Sequence, residues 1–458
     1  MIPFIVLAVL GVILLYAGLT KNKKLLVPIA VGGLLLTLGF LFASWGHPKS
    51  YYNHMVLIDN FSIAFNAIAI VTTILVLLLS VYYFEGVKEH VAENYALMIF
   101  TLFGVFLMTS FSNLVMLFIG IETLSIPLYV LAGAKKFSLR SNEASFKYFL
   151  QGAFASAILL MGIALIYGAS GTFDMQTISN QVSSGFGVRP GIFYIGLILM
   201  LMGFAFKVAI MPFHFWTPDV YEGSPTLVTL FMATVVKTAG FAAFYRFFLI
   251  MIPLSQNWQD IIWVLAAVTL IGSNLAALNQ QGMKRLLAYS SISHSGFMLI
   301  AVMVMSKYSA ASLLFYACAY SFASITIFGI LIRVKNYKQS LGTVEAFNGL
   351  AKNNPFLAVS MAISLLSLAG IPLTAGFFAK YYIFMAAIER SFIDITVVGI
   401  IAALIGVYYY FRIIVAMFFK EGDTEKLELT PLFKYVIAFT TFLTLLFGLF
   451  PGLLMDIL

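Results

Sequence analysis

The chain has 458 residues, 62% of them apolar and only 10% charged, with a mean hydropathy of +1.01, a composition that no soluble globular fold of this size needs, so it reads as an integral membrane protein. A net charge of +8 and a pI of about 9.3 would suit a nucleic-acid partner, but the basic residues are scattered among inter-helix loops, which argues for no nucleic acid. The single cysteine, Cys318, excludes an intrachain disulfide and a four-thiolate cluster, and of five histidines only His294 lies well inside an apolar segment and His214 at the end of one, which argues against a bis-histidine haem.

Windows of about 20 residues, the length that crosses a bilayer, pick out candidate spans in chain order. They fall at 2–20, 25–45, 61–84, 94–111, 113–134, 144–170, 191–216, 225–252, 259–280, 285–306, 309–333, 353–389, 392–419 and 431–457, about 14 transmembrane helices in all. The first is read as a retained helix, because Lys21, Lys23 and Lys24 follow its apolar run where a cleaved leader would carry them in front. With the N-terminus outside, the inside loops collect fifteen Lys and Arg, among them Lys88, Lys135, Lys136, Arg140, Lys284 and Arg285. The outside loops hold only Lys49, Arg189, Lys307 and Arg390. That bias places both termini on the non-cytoplasmic side.

Two segments cannot be plain spans. Residues 353–389 would form a helix of about 55 Å against a hydrocarbon core of about 30 Å, with Gly370, Ile371 and Pro372 at its middle, so a break is expected there. The seventh segment carries Pro212 five residues after Lys207, and Pro218 follows. Proline removes a donor and frees a carbonyl, which membrane proteins tolerate where the break is packed by protein or lines a wet cavity. The two broken segments lie five helices apart. This suggests two inverted five-helix repeats, helices 4–8 (about 94–252) and 9–13 (253–419), between an N-terminal three-helix segment (1–93) and a C-terminal helix (420–458). The alignment pairs Glu122 with His294, the break at Pro212 with that at Pro372, and Lys237 with the neighbourhood of Tyr408 and Arg412.

Four charges sit alone inside apolar runs: Glu122, Lys207, Lys237 and Lys380. A charge at mid-membrane costs about 2.5–3.5 kcal/mol on insertion scales, so the default reading is a pathway for protons or ions. Each also has a structural reading. Glu122 and Lys207 suit a static ion pair, Lys380 lies close enough to a helix end to snorkel, and Lys237 is too central to do so. Lys147 sits one turn inside the sixth span, where pairing with Glu143 would make it an interfacial lysine as readily as a relay member. His294 among Ser291, Ser293 and Ser295 fits interhelical hydrogen bonding as well as proton transfer. His214, Asp219 and Glu222 are read as loop anchors.

The runs LFIGIETLSIPLYVLAGAKK, SNEASFKYFLQGAFASAILLMGIALIYGASG, FKVAIMPFHFWTPDVYEGSPT, KRLLAYSSISHSGF and LSLAGIPLTAGFFAKYYIF resemble the antiporter-like, Mrp-type membrane subunits of respiratory complex I, the proton-translocating NADH:quinone oxidoreductase. The likeness covers nearly the whole chain. Within the family the chain is most similar to subunit N, since subunit M has a glutamate at the position of Lys380 and subunit L carries a further lateral helix. The resemblance implies that Glu122 pairs with Lys207, that Lys237 is the central lysine, that Ser291, His294 and Ser295 link the centre to the exit side, and that Lys380 leads outward. It also implies Lys147 as a lysine near the axis. No cofactor is implied in this chain; flavin, iron-sulfur clusters and quinone belong to partner subunits. The implied partners are neighbouring antiporter-like and small membrane subunits, the lateral helix of subunit L and membrane lipid, in a bacterial inner membrane. The other reading is a cation/proton antiporter, for which a midplane site with more than one carboxylate is expected, and a third is a scaffold subunit. The chain carries no nucleotide motif, so the energy for any pumping must come from a partner.

Overall fold

The computed structural model describes residues 1–20, 22–84, 90–184, 189–338, 342–422 and 425–458. Lys21 and Lys88, both counted for orientation, lie outside the described residues, as do the side chains of Lys335 and Lys338. The fold is all-α and polytopic. Among the described residues twelve helices are long and apolar enough to cross a membrane. They are α2 (Lys23–Phe42), α3 (Asn60–Tyr83), α4 (Val91–Ser110), α5 (Leu114–Ala132), α6 (Leu139–Ser170), α7 (Pro190–Lys207), α8 (Thr226–Ile250), α9 (Trp258–Leu278), α10 (Met283–Val304), α11 (Ser309–Val334), α13 (Ile393–Phe419) and α14 (Pro431–Leu449). The shorter apolar helix α1 (Ile2–Gly18) and the interrupted α12, made of Pro355–Ala369 and Ala375–Glu389, fill the remaining places of the expected series.

Local chemistry sets the helix ends. Asp59 and Ser62 form a reciprocal capping box at the start of α3, Asn113 caps α5 and Thr430 caps α14 ahead of Pro431. Pro190 and Pro355 occupy first-turn positions, where the missing N–H has no partner to lose. A small hairpin, β1 (Lys49–Tyr51) paired antiparallel with β2 (Val56–Ile58), closes one end of the bundle.

Burial is uneven along the series. The most apolar windows of α8 and α11 are wholly buried and that of α10 nearly so, whereas α2, α6 and α13 keep a broad exposed face. A helix enclosed all round is a core element in a membrane protein as in a soluble one. The polar residues in the middle of α8, α10 and α11 are therefore surrounded by protein.

Both interruptions occur where expected. The first half of α12 stops at Ala369, Gly370 takes up a left-handed conformation (φ +87°), and helix resumes at Ala375. The regular part of α7 ends at Lys207, and residues 208–215 are irregular. Two expectations need correction. Asp219 and Glu222 lie in an eight-residue helix, Trp216–Gly223, where a loop was expected. α6 begins at Leu139, so Lys147 stands two turns inside it. Tyr408 is 63% exposed, and the buried tyrosines are its neighbours Tyr409 and Tyr410, because one residue along a helix turns the side chain by about 100°. Arg412, the position in the second expected repeat that aligns near Lys237, donates to the carbonyls of Leu278 (3.0 Å) and Gln280 at the end of α9.

Candidate functional site

Lys207 occupies the last turn of α7 and is 8% exposed. Its Nζ donates to Ser125 Oγ at 2.7 Å, and Ser125 in turn donates to the carbonyl of Ile121. Glu122 is half-buried one turn from Ser125 and within electrostatic reach of Lys207, yet no ion pair joins them and Glu122 Oε1 has no hydrogen-bond partner. The expected ion pair is thus open, with Ser125 holding the ammonium.

The break beyond Lys207 is held by side chains. Trp216 Nε1 donates to the carbonyl of Phe206 at 3.0 Å, while its ring stacks on Tyr148 at 4.7 Å. Ser295 Oγ of α10 donates to the carbonyl of Val208 at 2.6 Å. The Ser295 bond satisfies an acceptor at the interruption, which membrane interiors require, and the Trp216 bond adds a second donor to a carbonyl that Ala209 N–H already reaches at 3.1 Å. Trp216→Phe keeps the stacking surface but removes the indole donor, leaving the Phe206 carbonyl with only the Ala209 N–H (3.1 Å). It is expected to destabilise the protein by about 0.5–1.5 kcal/mol, readable as a lowered melting temperature of the purified assembly.

Lys237, 4% exposed, follows directly on a π-helical turn, Met232–Val236, within α8. Such turns widen the helix by one residue and recur at functional sites. Its Nζ donates to both the carbonyl and the hydroxyl of Ser291 and lies over the Tyr320 ring, 5.5 Å from its centre. Gly240, one turn on, has Val208 against it: a Cβ there would come within 2.7 Å of Val208 Cγ1 and 3.9 Å of Lys207 Cγ. The lysine of α7 therefore packs directly beside the lysine-bearing helix.

From Ser291 the polar row continues along α10. Ser295 Oγ also reaches the Ser291 carbonyl at 3.3 Å. His294, 4% exposed, is hydrogen-bonded through Nδ1 to Tyr316 (2.6 Å) and through Nε2 to Tyr410 (3.2 Å), and Tyr410 is hydrogen-bonded to Ser290. A neutral imidazole donates from one nitrogen and accepts at the other, so this placement lets a proton enter on one side and leave on the other. Between His294 and the α12 break lies a cavity of about 10 Å³, enough for one water, bordered by Tyr320, Ser367 and Gly376.

Lys380, 8% exposed, folds back from the second half of α12 onto the end of the first. Its Nζ donates to the carbonyls of Leu368 (2.9 Å) and Ala369 (2.8 Å) and stands over the Phe297 ring at 5.0 Å. The break thus supplies the ammonium with acceptors in place of a carboxylate.

Lys207, Lys237, His294 and Lys380 are brought together in one interior row, with Glu122 at its edge; Pro212, Gly370 and Pro372 stand at the two interruptions that serve it. Lys147 is elsewhere. It pairs with Glu143 and Asp219, both at 2.7 Å, and Asp219 also binds Arg285 at 2.9 Å, while Arg285 reaches Glu222 at 3.1 Å. His214 is buried with its Nδ1 unpaired. Ser125, Tyr316, Tyr320 and Tyr410 join the site through tertiary contacts that the sequence pattern does not mark. A partial signal is the spacing of Tyr316 and Tyr320, four residues apart on one face of an apolar helix. Among the described residues no three His, Cys, Asp or Glu side chains converge as a metal site.

In the surface cluster, burial works against ionisation of Asp219, but hydrogen bonds from Lys147 and Arg285 outweigh it and hold the carboxyl below its usual range. A depressed folded-state value means stability that is complete above the unfolded value, about 3.9, and lost as pH falls through the lower folded value. Melting of the assembly between about pH 5 and 3 should therefore show an acid-sensitive increment that Asp219→Asn removes.

The family model described as NADH:quinone oxidoreductase/Mrp antiporter, TM, matches residues 111–406. The chain is 39% identical to NADH-quinone oxidoreductase subunit N of Flavobacterium psychrophilum, over 99% of each chain. It is 41% identical to that of Flavobacterium johnsoniae, over 98% of each. Among solved structures, a chain of respiratory complex I from Thermus thermophilus with bound aureothin aligns with a TM-score of 0.85 at 33% identity, covering 99% of this chain and 98% of that one. With a family model spanning more than half its length, and full-length relatives near 40% identity, the chain belongs to the NADH:quinone oxidoreductase/Mrp antiporter transmembrane family.

Proposed function

We propose that the chain is the proton-translocating, subunit N-type component of a redox-driven NADH:quinone oxidoreductase, moving protons along Glu122, Lys207, Lys237, His294 and Lys380. The observation that carries this reading is the enclosed row itself. Among the described residues no carboxylate is in contact with any of the three lysines; Lys207 packs beside the Lys237 helix, and serine and tyrosine hydroxyls, a histidine and a water-sized cavity lead from Lys237 toward Lys380, an arrangement that suits transient charging better than static pairing. Lys147, bound to carboxylates at the loop-side end of α6, serves at the mouth of the path and not on its axis.

The drive is electrostatic. If Lys207 exchanges Ser125 for Glu122, or swings toward Lys237, the charge next to Lys237 changes. Two like charges brought from about 10 Å to about 4 Å at an effective dielectric near 20 repel by roughly 2.5 kcal/mol more. That pushes the Lys237 proton toward His294 and Lys380. Moving a charge against about 150 mV costs roughly 3.5 kcal/mol, so this switch must be coupled to others or driven by a partner. Flavin, iron-sulfur clusters and quinone are accordingly assigned to partner subunits, which include neighbouring antiporter-like and small membrane subunits and the lateral helix of subunit L. Residues 94–252 and 253–419 act as the two halves of the path, in a bacterial inner membrane with both termini on the non-cytoplasmic side.

The competing reading, a cation/proton antiporter subunit, is favoured by the breadth of the family. It is weakened by the row's single carboxylate, Glu122. Purification separates the two: a multi-subunit assembly whose NADH oxidation acidifies one side of sealed vesicles supports the first. Sodium- or potassium-dependent proton exchange without redox turnover would replace it.

A further inference from the structure

A second polar site lies apart from the row. Where the loop-side ends of α6, α8 and α10 meet, a pocket of about 90 Å³ is lined by Lys135, Arg140, Ser224, Lys284 and Arg285, with Glu222 as its carboxylate. That volume holds a tetrahedral anion with several water-sized neighbours. Ser224 is only 2% exposed, and its hydroxyl has no hydrogen-bond partner, so a buried polar group faces the pocket unpaired. Arg285 is engaged by Asp219 and Glu222, and Lys284 Nζ by the carbonyls of Glu222 (2.8 Å) and Ser224 (2.5 Å). Lys135 and Arg140, both exposed, have no ion pair among the described residues. Two helices also start at this pocket, at Thr226 and Met283, presenting the positive ends of their dipoles.

What stands beside the pocket selects the ligand. The segment Lys135–Lys136–Phe137–Ser138–Leu139–Arg140 alternates cationic with apolar side chains, and Phe137 and Leu139 are 96% and 86% exposed. Large apolar groups held bare next to uncompensated cations belong at the level where acyl chains meet headgroups. A soluble anion gives them no partner.

We propose that this pocket binds the phosphate of an anionic phospholipid headgroup, held by Arg140, Lys135 and the Ser224 hydroxyl, with the acyl chains lying against Phe137 and Leu139. The pocket contains none of Glu122, Lys207, Lys237, His294 and Lys380; Asp219 ties its Arg285 to Lys147 at the mouth of the proposed path, but lipid labelling is read without pumping, so the failure of either assignment leaves the other standing.

The test uses the assembled complex and a photoactivatable phosphatidylglycerol as probe, with the matching phosphatidylcholine probe beside it. Mass spectrometry is expected to place phosphatidylglycerol cross-links within residues 135–140 and 222–226. The double variant Lys135→Gln/Arg140→Gln should lower the yield about twenty-fivefold, since each basic side chain near a membrane surface contributes about fivefold. Lys135→Arg/Arg140→Lys should retain it, and Ser224→Ala, which leaves the charge unchanged, should lower it about two- to fivefold. Equal labelling by the two probes, or labelling unaffected by the neutral double variant, would mean ordinary boundary lipid and overturn the proposal. Loss of the phosphatidylglycerol label on adding millimolar inorganic phosphate would assign the pocket to a soluble anion and overturn it equally.

Discussion

Replacing Lys237 by Ala is expected to cut proton pumping coupled to NADH oxidation by about tenfold or more while the assembly still forms, because a buried proton-transfer group is worth about 10² to 10⁴ in rate. The side chain is 4% exposed, and its ammonium is held by the Ser291 carbonyl and hydroxyl and the face of Tyr320. Its removal leaves only serine hydroxyls and the Tyr320 phenol between Lys207 and His294, none of which holds a positive charge. The alanine also opens a cavity, so Lys237→Met is the informative companion: it keeps the stem volume and removes only the charge and its donors. Both variants should lose pumping in sealed vesicles. Full pumping by Lys237→Met would reduce Lys237 to a packing residue and remove the centre of the proposed path.

The second large effect is expected at the α12 break. Lys380→Met removes the one cation at the end of the row and should depress coupled pumping to a similar degree. Gly370→Ala should approach it without touching a charge. Gly370 is at φ +87°, a conformation that costs a side chain roughly 1–2 kcal/mol, and a Cβ there would stand 2.9 Å from Lys380 Cδ and 3.1 Å from its Nζ. The lysine would have to leave the carbonyls of Leu368 and Ala369 that hold it inward. The measurement is the ratio of protons moved to NADH oxidised, read beside assembly yield. A Gly370→Ala complex with an unchanged ratio would show that the inward pose of Lys380 has no part in transfer.

Much of this was legible in the chain because membrane proteins write their constraints plainly. Apolar runs of fixed length announce spans, and a lysine among leucines and phenylalanines announces itself by its cost. The overlong segment with Gly370 and Pro372 at its middle could be read as broken because no single helix of that length fits the bilayer. Proline placement located the irregular stretch after Lys207 for a similar reason. Asp219 and Glu222 were misplaced in a loop because two prolines, Pro212 and Pro218, masked a helix of only two turns, and Pro218 is compatible with its first turn.

By itself, the sequence determined that the chain is a polytopic membrane protein, where two helices break, and which few residues carry charge into the apolar segments, since those follow from hydropathy, length and backbone chemistry within each segment. Only the tertiary structure decided which of those residues meet. It set Lys207 on Ser125 and not on Glu122, turned Tyr410 inward and Tyr408 outward, took Lys147 off the row, and gave Lys380 the open carbonyls of its own broken helix. These outcomes depend on helix rotation and on contacts between residues up to a hundred or more positions apart. Hydropathy is the same for either rotation of a helix buried on every side, so no reading of α8, α10 and α11 along the chain could choose between them.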